Sequence, residues 1–357
     1  MSTFRRTFLR PVAVVAAGLV TATMLQAPAG AAPVDDGATW LTTQLDENSV
    51  VYNEQFGGFE DLGLTIDVGL ALQRVGGHDS DVAAVRDAMS TRVDAYTTFG
   101  DDVYANSAAK LMTFAQRTGN GAGKKFGGVN LFRRLNRLVL KGDRLAGRIA
   151  DRSSTDYANT LGQAFAAETL AKAGSRKAGD VRRFLLQQQC GRGWFRLGFS
   201  GRKAAEQGCR GKKDQPDTDA TVFAIDALRA LPKKNKVTRA AIREGLDWLE
   251  RSQAADGGHG GGVATEAANA NSTGLAAMIL GDAGRCDSAT DAAAWVADLQ
   301  VAGDQGGTPL EGEEGAVAYD AAAYAAGQAD GITVETRDQW RRTSAQAVPG
   351  LRYVAGC

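Results

Sequence analysis

One spacing that recurs along the chain constrains the fold more than any other feature. An aromatic residue and an apolar neighbour are followed, after three intervening residues, by glutamine and, after three more, by glycine. Examples are Phe184-Leu185-x3-Gln189-x3-Gly193 and Trp248-Leu249-x3-Gln253-x3-Gly257. Trp295-Val296-x3-Gln300 keeps the first part, and Trp40-Leu41-x2-Gln44 is one residue shorter. Such self-similarity indicates a repeat architecture in which each unit is one supersecondary element.

Each copy ends an amphipathic helical stretch, and a more apolar helix rich in Ala and Leu follows. Asp, Asn or Thr opens the apolar helices, as expected of N-cap residues. The openings are Thr65-Ile66-Asp67, Asn106-Ser107, Asn159-Thr160, Asp217-Thr218-Asp219, Asn271-Ser272-Thr273 and a degenerate sixth near Tyr319-Asp320. The sequence therefore predicts an all-α fold, an α/α toroid of six helix pairs with the apolar helices in the inner of two concentric rings. An open solenoid, which normally has polar caps, is the alternative.

The shared repeat predicts a single domain over residues 35–350, with 351–357 as a tail. Residues 1–31 have the features of a secretory signal peptide: Arg5, Arg6 and Arg10, an apolar run, and Ala29-Gly30-Ala31 before the cleavage site. The paired arginines also resemble a twin-arginine export signal, and either export route stays open. We expect a secreted protein, and no later segment is long and apolar enough for a transmembrane helix.

The four cysteines fit an oxidising compartment. Three pairings are possible, and we predict Cys190 with Cys209 and Cys286 with Cys357, because each bond closes a local or terminal loop. The second bond would tie the tail to the domain. No cysteine pair has metal-ligand spacing and the two histidines, His78 and His259, lie elsewhere, so no metal site is expected.

The aromatic-Leu-x3-Gln-x3-Gly spacing resembles the QW repeat of the terpenoid cyclase and protein prenyltransferase superfamily, over essentially the whole mature chain. The resemblance implies the α/α toroid, with a functional pocket among the inner helices, but such folds host unrelated functions. The zinc site of prenyltransferases and lanthionine cyclases needs Cys and His ligands that are missing here. The string Gln189-Cys190-Gly191-Arg192 lacks the Glu-Gln of complement-type thioesters.

Asp217-Thr218-Asp219-Ala220 resembles the Asp-x-Asp-Asp motif of class II terpene cyclases at three of four positions. In that motif the central aspartate protonates an alkene beside a second carboxylate, which implies Asp219 as the donor and Asp217 as its neighbour. Ala220 departs from the motif. The alternative interpretation is a helix N-cap, since the other units place Asp, Asn or Thr equivalently.

Polar and aromatic residues at the start of the inner helices should meet at one end of a closed ring. A concave mouth of this kind is the default site for a small ligand, although helix caps and buried hydrogen-bond partners would give the same pattern. The candidate ligand contacts are Asp67, Tyr104, Asn106, Tyr157, Asn159, Asn271 and Tyr319, beside Asp217 and Asp219. The leading hypothesis is a non-catalytic protein that binds a small apolar or cofactor-like ligand and has no cofactor of its own. A terpenoid-cyclase-like enzyme is the alternative.

Residues 117–213 contain 22 Lys plus Arg against 6 acidic residues. Between Arg133 and Arg152 the cations recur at helical spacing, with leucines between them. This pattern predicts a basic amphipathic helix, which either contacts an anionic cell-envelope surface or is simply solvated. Nucleic acid is not expected as a partner, because no recognition module is present.

Overall fold

The computed structural model describes residues 32–119, 121, 123–210 and 214–357, so the predicted signal peptide lies outside the described residues. The described chain is all-α apart from two short antiparallel strand pairs, β1 (Tyr52–Asn53) with β2 (Phe59–Glu60) and β3 (Thr98–Phe99) with β4 (Asp102–Val103). The helices are α1 (Pro33–Thr43), α2 (Leu62–Val75), α3 (Asp79–Ser90), α4 (Val93–Thr97), α5 (Ala105–Arg117), α6 (Leu131–Arg137), α7 (Thr160–Lys172), α8 (Ala178–Gln187), α9 (Thr218–Ala230), α10 (Lys236–Ser252), α11 (Ala270–Asp282), α12 (Cys286–Ala297), α13 (Ala321–Asp330) and α14 (Val334–Ala347). Within this part of the chain, no helix combines the length and apolar character needed to cross a membrane.

Two concentric rings of helices confirm the predicted α/α toroid. The inner ring runs from α2 through α5, α7, α9 and α11 to α14, which packs against α2 again and so closes the circle. The outer elements α3, α6, α8, α10 and α12 each follow and cover an inner helix, and α1 covers the sixth position. The inner helices are built largely of fully buried Ala, Leu, Ile and Val, because ring neighbours and the outer helices bury most of their surface.

The sixth inner position differs from the prediction. Asp320 does cap a helix, α13, but this helix is mostly exposed and is not part of the inner ring. The ring position belongs to the second half of α14 and the 3-10 helix Val348–Tyr353, which pack on α11 and α2. Thr221, Thr273 and Ser344 mark equivalent positions, since each hydroxyl accepts a bond of 2.8–2.9 Å from a buried loop N–H. The polar composition of α14 hid this role from the sequence pattern.

The repeated glutamines join neighbouring units. Each side-chain amide donates to a carbonyl of its own loop and to a carbonyl of the next outer helix, at 2.8–3.1 Å: Gln189 to Gly193 and Ala241, Gln253 to Gly257 and Ser288, Gln300 to Gly315 and Pro33. The last set joins residue 300 to the first helix, so the same bond that links neighbours also closes the ring. Gly257 has a φ of 96°, and a Cβ there would lie 2.5 Å from the Asp291 carbonyl oxygen, so this turn requires glycine.

One of the two predicted disulfides is present. Cys190 and Cys209 are bonded and close a loop between α8 and α9. The predicted bond between Cys286 and Cys357 is not formed, because both residues carry free thiols. The two thiols are nevertheless in contact: a hydrogen bond to Cys286, together with desolvation, raises the pKa of Cys357 to about 11.

The predicted basic helix over residues 133–152 is wrong. Helix α6 ends at Arg137, and the chain then folds back on itself through a bridge between Val139 and Ile149. Gly142 and Gly147, both with positive φ, break the helical spacing. Arg148 does not face solvent: it is 4% exposed and donates to the Ser200 carbonyl oxygen, Gln207 and Asp156. The cations of this stretch therefore do not share one helical face.

Candidate functional site

The inner helices surround a central space, here called the lumen, and present a stripe of partly exposed residues to it. On α2 the stripe is Gly63, Asp67, Leu70 and Arg74, and on α9 it includes Asp219, Phe223 and Asp226. These spacings of three and four residues follow one helical face, and the remaining faces are packed. The starts of α7, α9 and α11 each bond to the loop that precedes the next inner helix, so they lie at one end, here called the mouth.

Ion pairs close the other end of the lumen, here called the floor. Arg117 lies 2.7 Å from Glu168 and 2.9 Å from Asp226, and Arg74 lies 2.8 Å from Asp226 and 2.6 Å from Asp282. Burial opposes the charged form of Asp226, but the two arginines outweigh it and lower its pKa to about 2. Since α2 and α9 are on opposite sides of the ring, the bond between Arg74 and Asp226 crosses the lumen.

Between floor and mouth, the side of the lumen formed by α7 and α9 is apolar, whereas an ion pair between Asp67 and Lys110 lies on the side formed by α2 and α5. The rings of Phe165 and Phe223 meet edge to face, with centroids 5.4 Å apart. Phe223 lies one turn from Asp219 on the mouth side and one turn from Asp226 on the floor side. Leu275 and Met278 of α11 belong to the buried apolar cluster against which Phe223 packs. A molecule that enters along α9 therefore meets the two phenylalanine rings between Asp219 and the ion pairs of the floor.

Asp219 stands at the mouth as a carboxyl group without a cationic partner. Its Oδ1 accepts a hydrogen bond of 2.8 Å from the Ser272 hydroxyl of α11. Within the described parts of the chain, no Lys or Arg lies within ion-pair distance of it. Burial raises the pKa of Asp219 to about 6; the Ser272 bond acts in the opposite direction, and the negative charge of Asp217 adds to the rise. The contrast with Asp226, seven residues later on α9, shows that partners and not helix position decide these two pKa values.

Asp217 has a different role from Asp219. Its Oδ1 accepts a bond of 2.7 Å from the backbone N–H of Ala220, which makes it the N-cap of α9. Burial raises its pKa as well. The cap interpretation thus describes Asp217, while Asp219, inside the first turn, makes no cap bond and points its carboxyl group toward α11.

A cleft of about 490 Å³ opens directly beside the two aspartates. One wall is formed by residues 196–198, and the other by residues 262–265 of the loop before α11. Arg196, 2.8 Å from Asp214, anchors the first wall on the side of the Cys190–Cys209 loop. The volume lies within the usual range for small-molecule sites, and the cleft gives access to Asp219 from outside the ring.

Two of the predicted contacts join Asp219 on the α9–α11 side of the mouth. The Tyr319 carbonyl accepts a bond of 2.8 Å from the Ala270 N–H at the start of α11. Burial, with the charges of Asp320 and Asp219, raises the pKa of the Tyr319 hydroxyl. Asn269 is the N-cap of α11, and Asn271 lies two residues after it. The side-chain oxygen of Asn271 is buried without a partner among the described residues. That oxygen is a free acceptor at the mouth.

The remaining predicted contacts lie on the α2–α5–α7 side. Asp67 faces the lumen and forms an ion pair of 2.7 Å with Lys110 of α5. Asn106 donates to the Tyr157 carbonyl oxygen at 3.1 Å, and Asn159 caps α7. The side chain of Tyr157 is mostly exposed, and Tyr104 precedes α5 without a side-chain cap bond. Asn106 and Asn159 position the start of α7, whereas the predicted helix opening at Thr65–Asp67 is wrong, because Asp61 caps α2 and Asp67 lies inside it. The structure therefore does not bring all predicted contacts to one point.

The chain matches no protein-family model and no curated protein. Its fold does match solved structures. Type II terpene cyclase MstE from Scytonema aligns with a TM-score of 0.61 at 12% identity, over 90% of this chain and 97% of that one. A protein from Actinoplanes aligns with 0.56 at 15% identity, over 90% and 98%, and a wild-type glycosidase with 0.56 at 11%, over 90% and 96%. At these identities the similarity shows the fold alone, a terpene-cyclase-like α/α toroid.

Several side chains of the site were not among the predicted residues. In the sequence, Ser272 stands out only as part of a helix opening. Lys110 is one of two cations in α5, and this is the signal that could have found it. Phe165 and Phe223 looked like ordinary core residues, because only the ring shows that they face its centre. Among the described residues, no group of three or more His, Cys, Asp and Glu could hold a metal ion.

His259 lies in the loop before α11 and is 1% exposed. Its backbone N–H bonds to Thr273, as that of Phe195 bonds to Thr221, so the two residues are equivalent in neighbouring units. Neither ring nitrogen of His259 has a partner among the described residues. Burial lowers the pKa of the ring to about 4, so the side chain is neutral at pH 7.

We expect His259→Phe to stabilise the protein by about 1–2 kcal/mol at pH 7, because it removes two buried nitrogens that lack partners. The gain should grow as the pH falls from 6.5 toward 4, since the unfolded histidine binds a proton that the folded one excludes. Urea unfolding across this pH range measures both effects. The partly exposed His78 provides the control His78→Phe, for which no gain is expected. A loss of stability in His259→Phe would show that the ring nitrogens have a partner.

Proposed function

We propose that this protein binds a small, largely apolar molecule in the lumen, with Asp219 as its polar contact at the mouth. The observation that carries the proposal is the order of surfaces along one helix. A carboxyl group with no cationic partner among the described residues stands at the mouth, an aromatic pair lies one turn below it, and ion pairs close the floor. Burial of a carboxyl group without a counter-charge costs stability, and such costs are concentrated at functional sites.

The solved structures with this fold support a small-molecule role. One variant of MstE is described in complex with geranylgeranyl dihydroxybenzoate as substrate, and one variant of the glycosidase in complex with glucose. Both are small molecules of different polarity. The apolar side of the lumen, formed by α7 and α9, favours an occupant with a hydrocarbon portion. The Cys190–Cys209 disulfide agrees with an extracytoplasmic location, and we infer that binding takes place outside the cytoplasm.

Native mass spectrometry of the exported protein, purified gently from its own host, tests the proposal. We expect a stoichiometric small-molecule adduct that is lost in Phe223→Leu, because this change removes one half of the aromatic pair. Trp248→Leu is the matched control, since Trp248 is an aromatic residue on the outer helix α10 and lies outside the lumen. The adduct should survive in that variant. Folded protein without an adduct in any preparation, or equal loss in both variants, would contradict the proposal.

A second candidate function is acid catalysis by Asp219, and its pKa of about 6 favours it. A carboxyl group with such a pKa retains part of its proton near neutral pH and can donate it. By the resemblance to class II cyclases, the proton would pass from Asp219 to one carbon of an alkene and leave a cation on the other. The faces of Phe165 and Phe223 would then stabilise the positive charge. Ala220, where those enzymes have a further aspartate, is the departure from their pattern.

Asp219→Asn separates the two candidates. A binding protein should keep its adduct in this variant, because the amide still accepts a bond from Ser272 and offers a polar contact. An enzyme should keep the bound molecule but stop converting it, so unreacted substrate should accumulate on the variant. Chemical comparison of the small molecules extracted from the parent and the variant distinguishes these results.

A further inference from the structure

A second recess lies on the outer wall, away from the lumen, and is here called the arginine cleft. It has a volume of about 580 Å³ and lies between α6 and the segment that folds back after it. Four arginines line it: Arg133, Arg134 and Arg137 from α6, and Arg152 from the returning segment. A bridge between Val103 and Arg152 brings that segment to the same wall. Cations distant in sequence thus share one concave surface.

The four arginines differ in their partners. Arg134 lies 2.7 Å from Asp94, and Arg152 donates to the Asp101 carbonyl oxygen at 3.1 Å, so both guanidinium groups are held in place. Arg133 and Arg137 are exposed, stand one turn apart, and have no side-chain partner among the described residues. Like charges at this spacing repel each other, so an anion between them would relieve an unfavourable contact.

The cleft contains little negative charge of its own. Asp151 is the one carboxylate in its lining, and its oxygens already accept bonds from the backbone N–H groups of Ala105 and Tyr157, at 2.6 and 2.8 Å. Even when Asp94 is counted against Arg134, the lining keeps an excess of positive charge. The base of the arginine cleft, by contrast, is apolar and includes Val103, Leu138 and Ala150.

The four arginines and the apolar base together indicate which kind of molecule the cleft would bind. Guanidinium groups form paired hydrogen bonds to phosphate and carboxylate oxygens. A phosphate monoester carries up to two negative charges and three acceptor oxygens, which matches several arginines better than a single carboxylate does. The apolar base of the arginine cleft then has room for a hydrocarbon portion of the same molecule. We propose that the arginine cleft binds a phosphate group carried on an apolar molecule, independently of any ligand in the lumen.

Calorimetric titration of the mature protein with octyl phosphate tests the proposal directly. We expect saturable binding that weakens as salt is added, because the contact is largely electrostatic. Arg133→Gln with Arg137→Gln should weaken binding at least tenfold. The matched control is Arg239→Gln with Arg243→Gln, which removes two exposed arginines at the same spacing on α10, outside the cleft. The control should bind like the parent, and both double variants should unfold at the parent's temperature.

Sedimentation with vesicles identifies the source of the phosphate group. Co-sedimentation with vesicles that contain phosphatidic acid but not with phosphatidylcholine vesicles, lost in the Arg133 and Arg137 variant, would assign a lipid headgroup. Binding of octyl phosphate without co-sedimentation would assign a soluble phosphorylated molecule. Either result supports the cleft. Failure to bind octyl phosphate and both kinds of vesicle would overturn the proposal, and so would equal weakening by the control variant, which would indicate general charge attraction.

Discussion

Asp219→Asn is expected to raise the free energy of unfolding by about 3 kcal/mol at pH 7.5, whatever it does to function. The pKa of the folded carboxyl is raised from 3.8 to about 6, so above pH 6 the folded state must hold a charge that the unfolded chain holds more easily. This penalty decreases as the pH falls through 6 and is gone below about 3.8, where both states are protonated. The advantage of the variant should disappear over the same window.

Urea unfolding of parent and variant at a series of pH values measures this difference. Asp330→Asn is the control, because Asp330 is an exposed acid at the end of α13 with no ion pair in the described structure. The free energy of unfolding of Asp330→Asn should equal that of the parent at every pH. If Asp219→Asn were no more stable than the parent at pH 7.5, this result would show that the folded carboxyl has a counter-charge or is better hydrated than the structure indicates. A stabilised variant that has lost its function would mark Asp219 as a residue kept for chemistry.

Arg117→Met should have the opposite effect and lower stability by about 3–5 kcal/mol, because it leaves two buried carboxylates with reduced compensation. Among the described residues, Glu168, which is 1% exposed, would retain Lys172 alone, and Asp226 would retain Arg74 alone. Methionine keeps most of the side-chain stem, so the loss reports mainly on the guanidinium group. Thermal and urea unfolding at pH 7 measure it.

The pH dependence of Arg117→Met gives an independent check. In the parent, the low pKa of Asp226, about 2, gives a stabilisation that is present above pH 3.8 and is lost as the pH falls toward 2. Without Arg117 the pKa of the folded Asp226 should move up toward 3.8, so this acid-induced loss should be smaller and should end at a higher pH. Arg183→Met removes an exposed arginine paired with Asp180 at 2.9 Å, and it should change stability by less than about 1 kcal/mol. A similar loss in both variants would show that the floor contributes no more than a surface pair.

The toroid could be predicted because its units repeat a visible spacing. Gln189, Gln253 and Gln300 recur at fixed distances from an aromatic residue, and the structure gives all three the same two bonds. The sixth inner segment could not be predicted in this way. Ser344 occupies the equivalent position in α14, but its neighbours include Arg341 and Arg342, which bond to other units and made the helix look exposed.

The candidate site was predicted only in part, for a similar reason. Asp217 and Asp219 were recognised from their motif, and only the fold shows that the first caps a helix and the second does not. The floor was missed because Arg74, Arg117 and Asp226 are far apart in sequence and each looks like an isolated charge in an apolar helix. Pairing across a ring depends on closure, which no local pattern records. The same holds for the arginine cleft, where the bridge between Val103 and Arg152 brings Arg152 to the wall that contains α6.

The bonds from Gln300 to Gly315 and Pro33 affect how this protein reaches its native state. A linear array of repeats can begin to fold anywhere and grow from that point, because every unit needs only its neighbour. Here the first helix needs partners some three hundred residues away, including Val348, which packs against Gly37. Contacts of such high sequence separation slow folding, since the chain must first find its own far end. The ring is therefore expected to fold as one cooperative unit, with joining of its two ends as a late and slow step.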